Sequence, residues 1–488
     1  MKKILVIAAI LSVFNIARAQ QPDAVFKLIK HEWTVNADGT SDYHYRHEVQ
    51  IMRNRALTAY ADKGETFVVY NPDIEELTVN EVYTVQADGR RVEMPQNAFI
   101  YQLPSECTDC GRFNHMRELA MVHTGMEIGC VVVVDYTIHR QYNLVCEELP
   151  LMRECPVQRY EVSISVPAGQ ELNVQMNKSP EDMPFAVNQR QTSTKYSLTA
   201  RSIPQMPNEP YMPDGICPTL RLMNGTPEWT PTFDEAAFYG AEEAMGQTMT
   251  SRDAKENAVA ARNFFIDNIH LNDISPKHLG YTHATAAETW KSGCGTAADK
   301  ANLLAAVLRS EGFRARVMGE QMDQVGVMID TLEYTLDVRH RTPLTLVGEA
   351  KDEVDTVSMT TTITNPKLDT LADGFYRLDI RAPYSTLDAR RLPLQRTMPL
   401  QAKACHVDID ITYTLPKGVK MVGKAISETK TYEGVGSLTI NVKQSGKKLV
   451  VSRRLTLDNS IVEPKDYTNY RDLLATWQSY NNITLQSK

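Results

Sequence analysis

Behind Gly295 and Thr296, the apolar residues Ala301, Leu304, Ala305 and Leu308 recur at three- and four-residue steps, the spacing of one buried stripe on an amphipathic helix. Gly312 ends that helix and residues 313–318 read as a strand, so the helix N-terminus faces whatever lies in front of the unit. Asp299 in the first turn suits the helix dipole, while Lys300 falls off the stripe and is expected to add little to stability. A second stripe, Ala258, Ala261, Phe265 and Ile269, follows an N-cap signal at residues 250–253 and marks a supporting helix that leads to His270. Trp290, ahead of the central helix, fits a core plug.

Strand patterns flank these helices. Residues 25–35 and 43–52 enclose Asn-Ala-Asp-Gly, and residues 81–85 and 91–94 enclose Gln-Ala-Asp-Gly. Gly39 and Gly89 supply the positive φ that such turns need, which predicts two hairpins. Residues 129–140 hold an apolar run suited to a strand buried on both faces, and residues 159–166 add another strand, together predicting a β-sandwich. Farther on, Val407, Ile409, Ile411 and Tyr413 alternate inward, residues 415–418 turn the chain, and residues 437–442 and 448–455 read as strands of a second sandwich. Tyr467, Tyr470, Leu473, Leu474 and Trp477 then mark a docking helix.

Prolines at 204, 207, 210, 213, 218, 227 and 231 make a stiff connector between the first sandwich and the helical region. The expected division is residues 1–19 as a signal peptide, 20–231 as an N-terminal β-sandwich with its connector, 232–360 as the helical module, and 361–488 as a C-terminal β-sandwich with its helix. A chain of 488 residues is too long for one core, in keeping with three domains.

Lys2 and Lys3, an apolar run over residues 4–16 and Ala17-Arg18-Ala19 form the layout of a cleavable leader, so the mature chain is expected to begin at Gln20 and to be periplasmic or secreted. No cysteine follows the cleavage site to hold a lipid anchor, and no later apolar run is long enough to span a bilayer. A net charge of −8 and a pI near 5.8, with no basic run interleaved with aromatics, argue against a nucleic-acid partner. Cys107 and Cys110 lack a second pair to complete a zinc site, so a local loop disulfide or two free thiols is expected there. No metal or cofactor is expected elsewhere.

The segment from Gly295 to Arg316 resembles the core of the transglutaminase-like superfamily, whose signature runs Gly-Asp-Cys-x-Asp-Lys-Ala-x-Leu-Leu and continues through Leu-Arg-x-x-Gly-x-x-Ala-Arg. Gly295, Asp299, Lys300, Ala301, Leu303, Leu304, Leu308, Arg309, Gly312, Ala315 and Arg316 fall on it without a gap. The resemblance implies a papain-like α+β module in which a cysteine thiolate attacks an amide carbonyl, a histidine moves the proton and an aspartate orients the imidazole. In this register the nucleophile slot holds Ala297, the histidine slot on the following strand pair holds Gly326, and Asp337 fits the aspartate slot. The nearest thiol, Cys294, lies three residues early.

Residues 24–215 resemble a β-rich domain of unknown function that precedes transglutaminase-like domains in many exported bacterial proteins, on the strength of the stretch GMEIGCVVVVDYT and of residues 203–210. The C-terminal strands and helix resemble the companion domain of that architecture. The fold class implied is α+β and multidomain, a transglutaminase-like core between two β-sandwiches. The expected role is binding or scaffolding at the cell envelope, with a protein, peptide or glycan as partner. The alternative is a thiol peptidase or acyltransferase acting on peptide amides, with Cys294 as nucleophile, Asp337 as orienting carboxylate and His340, or else His283, as base.

Overall fold

The computed structural model describes residues 22–57, 66–177, 185–213, 216–224, 233, 236–246, 248–321, 324–332, 334–341 and 354–487. The leader at residues 1–19 and the expected mature start at Gln20 lie outside them. The described chain falls into two compact units: residues 1–206 with 217–346, and residues 207–216 with 347–488.

The first unit opens on an eight-stranded sheet, in the order Ala186–Gln189, Ser193–Ile203, Val157–Pro167, Ala24–Val35, Ser41–Ile51, Val131–Arg140, Glu75–Val85 and Arg91–Glu93. Both expected hairpins are present, and Gly39 (φ +93°) and Gly89 (φ +90°) turn them. Two three-stranded sheets cover the apolar face. Leu149, Leu220 and Leu222 pack with Ile29, Trp33, Val162 and Ile164 over one half. Val68, Leu119 and Met121 pack with Val82, Val134 and Ile138 over the other. The layer architecture is thus a sandwich with a divided second layer.

The same unit holds the helical module: α1 (Ala254–Asn268), β1 (His270–Leu271), α2 (Ala286–Ser292), β2 (Cys294–Gly295), α3 (Ala297–Ser310), β3 (Ala315–Gln321), β4 (Gln324–Ile329) and β5 (Tyr334–Asp337). Asp253 caps α1 by accepting from the Lys255 and Glu256 amides, as its position in the sequence predicts. Ala258, Ala261, Phe265 and Ile269 are all buried. Thr285 and Glu288 form a capping box on α2, and Thr296 and Asp299 form the same reciprocal pair on α3.

The central helix departs from a one-stripe reading. Every residue from Ala297 to Leu308 is buried, because α1 and α2, the β3–β4–β5 sheet and a loop of the N-terminal sandwich surround it. Lys300, expected on an indifferent face, is 3 % exposed and donates from Nζ to the Ile269 carbonyl oxygen at 2.8 Å. That contact places a cation at the carbonyl end of α1. Asn302 donates to the Ala284 carbonyl at 3.1 Å. Buried polar groups with named partners are compatible with a buried helix.

In the second unit a five-stranded sheet runs in the order Asp355–Thr364, Cys405–Thr414, Lys448–Leu457, Gly436–Ser445 and Ile426–Tyr432. A four-stranded sheet and the helix α4 (Tyr467–Ser479) enclose a core with it, through Tyr467, Tyr470, Leu473, Leu474 and Trp477. The chain does not stop at this helix. Residues Asn482–Ser487 return as a strand of the four-stranded sheet. A boundary drawn at 360/361 cuts strand Asp355–Thr364, which pairs along its whole length with Cys405–Thr414. Residues 207–216 of the proline-rich connector belong to this unit: Glu209 accepts from the Thr397 amide at 2.8 Å, and the Gln401 amide donates to the Tyr211 carbonyl.

Candidate active site and its seam with the N-terminal sandwich

Gly293 (φ +66°) ends α2 in the left-handed region and turns the chain into the short extended strand β2, which pairs in parallel with β1 through His270 and Cys294. Gly295 then brings the backbone against the helix start. A Cβ there would stand 2.7 Å from the Asp299 Cβ, a distance no real side chain tolerates. Thr296 caps α3 and Ala297 is its first residue, with only 2 % of its surface exposed. The position assigned to the nucleophile thus carries a methyl group in packed surroundings.

In the sheet that packs against α3 the antiparallel register sets Gly326 directly opposite Asp337. The slots assigned to histidine and aspartate therefore do face each other across β4 and β5, and one of them has no side chain. Asp337 uses Oδ1 to accept from the Arg339 amide at 2.7 Å and the His340 amide at 3.2 Å, capping the turn after β5. Its Oδ2 lies 3.0 Å from His340 Nδ1, with the His340 side chain 70 % exposed. Arg339 and Arg341 pair instead with Asp273 and Asp267. His283 stacks on Phe233 with ring centroids 4.6 Å apart, and its Nδ1 lies 2.9 Å from the Ala284 carbonyl.

Cys294 is 1 % exposed, and its sulfur is bonded to Cys110 of the N-terminal sandwich, 184 residues earlier. Neither the local loop bridge nor the two free thiols expected at Cys107 and Cys110 is present, the bond to Cys294 standing in their place. Sequence spacing cannot show such a pairing, because the partners meet only when two separately encoded layers dock. Cys107 keeps its thiol, and burial, with Glu106 and Glu118 nearby, pushes it up to about 11. Between Cys110 and Cys294 and around them, Cys107, Phe113, Met116 and Ile274 close an apolar cluster.

The loop that carries Cys110 lies across the front of α3. Arg112 reaches the fully buried Asp299 at 3.0 Å, and Glu106 offers its carbonyl to Asn272 at 2.9 Å. Asp299 also accepts from the Thr296 amide at 2.9 Å and from the Ala284 amide, so one carboxylate joins the helix start, the preceding segment and the sandwich loop. Its role exceeds the dipole contribution expected for it.

A second set of buried charges holds the same two parts together. Glu75 pairs with Arg140 at 3.2 Å and accepts from His278 Nδ1 at 2.8 Å. Glu147 pairs with Arg140 at 3.4 Å and with Lys277 at 3.5 Å. The Tyr142 hydroxyl donates to the Lys277 carbonyl at 2.6 Å. Burial alone would raise the Glu75 carboxyl, yet His278 and Arg140 pull it below the usual range. Burial outweighs Glu75 at His278 and holds that imidazole below its ordinary value. None of these residues stands out in the sequence, where they are scattered over two regions.

Beside α3, a cavity of about 310 Å3 is lined by Lys300, Arg339, Asp267, His270, Asn268 and Gly293 among others. Burial, with Arg339 nearby, pushes the Lys300 amine down to about 8. The cavity mixes both charge signs with the carbonyl end of α1, and Lys300 is already directed at Ile269, so its chemistry favours no one ligand charge.

Family models match the chain in three places: DUF3857, a domain of unknown function with a solved structure, over residues 37–207; the transglutaminase-like superfamily over residues 243–335; and DUF3858, also of unknown function, over residues 380–486. The chain is therefore a multidomain protein with a transglutaminase-like core between these two β-rich domains, as the signature and strand patterns imply. A crystal structure from Parabacteroides distasonis, described as a "putative protease", matches with a TM-score of 0.77 at 22 % identity, covering 95 % of this chain and 99 % of that one. At that identity the likeness shows a shared fold. An M1 zinc metallopeptidase from Deinococcus radiodurans aligns at 10 % identity over 50 % of this chain and 54 % of its own, and its TM-score of 0.21 carries no argument. No curated protein matches. Among the described residues, no helix is long and apolar enough to cross a membrane.

Proposed function

We propose that this protein is an exported, catalytically silent transglutaminase-like module whose role is binding or scaffolding at the cell envelope, with a protein, peptide or glycan as partner. The observation that carries the reading is Ala297 at the first position of α3, where the superfamily's chemistry requires a thiolate. Gly326 opposite Asp337 supports it, since an orienting carboxylate without an imidazole moves no proton. His340 belongs to a turn cap on the surface, and the Cys294 sulfur is held in a disulfide with Cys110. Export rests on the layout of residues 1–19.

The alternative, an amide-cleaving or acyl-transferring enzyme with Cys294 as nucleophile, draws on the protease description of the Parabacteroides protein. It requires the Cys110–Cys294 bond to open first, since only a thiolate attacks.

The test compares the native protein with an Ala297→Cys, Gly326→His double variant. The native protein is expected to release no ammonia from glutamine peptides and to cleave no peptide, with or without reductant. The double variant is expected to gain a thiol at 297 that reacts with iodoacetamide faster than an ordinary cysteine, because Asp337 already stands opposite the new imidazole. Turnover by the reduced native protein that is lost in Cys294→Ala would overturn the reading in favour of the enzyme.

A further inference from the structure

Three cysteines from two parts of the first unit share one closed apolar cluster. Cys107, Cys110 and Cys294 are 1 %, 2 % and 1 % exposed, and Phe113, Met116 and Ile274 complete the enclosure. Two of the three are bonded across the seam, and the third is a free thiol three residues from Cys110 in the chain. Short 3-10 turns at Ser105–Cys107 and Gly111–Phe113 bracket the pair, and Asp109 between them sits at φ +64°. Thr108 (φ −63°, ψ 152°) followed by Asp109 (φ +64°) has the pattern of a type II turn, which brings its first and fourth Cα atoms within about 7 Å, near the roughly 4.4–6.8 Å that bonded cysteines need.

From this arrangement we infer that Cys107, Cys110 and Cys294 form a thiol–disulfide exchange centre, in which the bond between the sandwich loop and the core is traded for a bond within the loop. The Cys107 thiol loses its proton and attacks the Cys110 sulfur. The Cys107–Cys110 bond forms, the Cys110–Cys294 bond breaks, and Cys294 leaves as a thiolate that takes up a proton. One disulfide and one thiol exist before and after, so no oxidant or reductant is consumed.

Burial keeps the Cys107 thiol protonated at neutral pH, which leaves the resting protein in the bonded form seen in the structure. The consequence is mechanical as well as chemical. After exchange the loop is held to the front of α3 only by non-covalent contacts, chiefly Arg112 with Asp299 and the Glu106 carbonyl with Asn272. Cys294, directly ahead of the central helix, becomes the free thiol. The inference does not rest on the module being silent or active, because it is read from which sulfurs are bonded.

The experiment uses the full mature chain, incubated at mildly alkaline pH in a urea concentration short of global unfolding. It is then quenched in acid, labelled with N-ethylmaleimide and mapped by mass spectrometry without reduction. The wild type is expected to yield a Cys107–Cys110 peptide together with labelled Cys294. Cys107→Ser should keep only the Cys110–Cys294 bond, with label on Cys294 lower by roughly tenfold or more. Cys294→Ser, oxidised with glutathione disulfide and shown by circular dichroism to be folded, should carry the Cys107–Cys110 bond. The proposal is overturned if that folded variant leaves both loop cysteines labelled. It is equally overturned if Cys294 is labelled to the same extent in the wild type and in Cys107→Ser, or if the wild type forms a Cys107–Cys294 bond instead.

Discussion

The seam between the N-terminal sandwich and the core, and the strand pair carrying Gly326 and Asp337, hold opposite inventories. At the seam, ionisable groups converge: Glu75, Arg140, Glu147 and His278, largely buried, with the partly exposed Lys277 in one network, and the partly exposed Arg112 with the buried Asp299 in another. At the strand pair, one half-exposed turn cap joins Asp337 to His340, and the facing position is a glycine. Shifted ionisable groups commonly point to chemistry. The shifted groups here, Glu75, Glu147, Arg140 and His278, lie where two layers are held together, so a displaced pKa identifies a buried charge and not its purpose.

The contrast is testable, and the largest effect should come from acid. Burial lowers His31 to about 3, His47 to about 3 and His123 to about 4, all three within the N-terminal sandwich. Each of these imidazoles is neutral in the fold and has an ordinary value near 6.5 when unfolded, so the unfolded chain binds more protons below that pH. Their contribution is whole above about pH 6.5 and is lost progressively toward pH 3–4. Lowering the pH to 5 should therefore cost about 2 kcal/mol for each, roughly 6 kcal/mol in all, measured by urea unfolding. A flat stability between pH 7 and pH 5 would show that these rings are not neutral and buried.

Next comes the seam itself. Arg140→Ala leaves Glu75 and Glu147 without their guanidinium and should cost about 3–5 kcal/mol. A loss under about 1 kcal/mol would mean that the network is hydrated and that the seam is no firmer than the strand pair.

The central helix separates packing from capping. Leu304, 1 % exposed, should cost about 2–5 kcal/mol on replacement by alanine. Lys300→Ala, which strips the Ile269 carbonyl of its partner, should cost about 1–3 kcal/mol. If Lys300→Ala proved neutral in thermal unfolding, the one-stripe picture of the helix would stand after all.

The smallest effect belongs to the turn that carries His340. His340→Ala should change stability by no more than about 0.5 kcal/mol, because the side chain is mostly in water and the turn keeps its backbone bonds to Asp337. A large loss would give His340 a role that its surroundings do not suggest.

The local pattern was enough to place both hairpins, the Asp253 cap, the apolar face of α1 and the alternation at Val407–Tyr413, because periodicity and turn chemistry act over a few residues. The family resemblance, not the local pattern, assigns Ala297, Gly326 and Asp337 to the superfamily's slots, and the register of β4 and β5 sets the latter two opposite each other. Local pattern did not reveal that α3 is buried on every side, that Asn482–Ser487 returns as a strand after the last helix, or that residues 207–216 join the second unit. The Cys110–Cys294 bond and the Glu75–Arg140–Glu147 network lay further still from view, because each unites residues that only docking brings within reach. Whether a lysine such as Lys300 lies in water or against a carbonyl is decided by what packs beside it, and the carbonyl it meets, that of Ile269, belongs to the end of another helix that helical periodicity alone does not bring near.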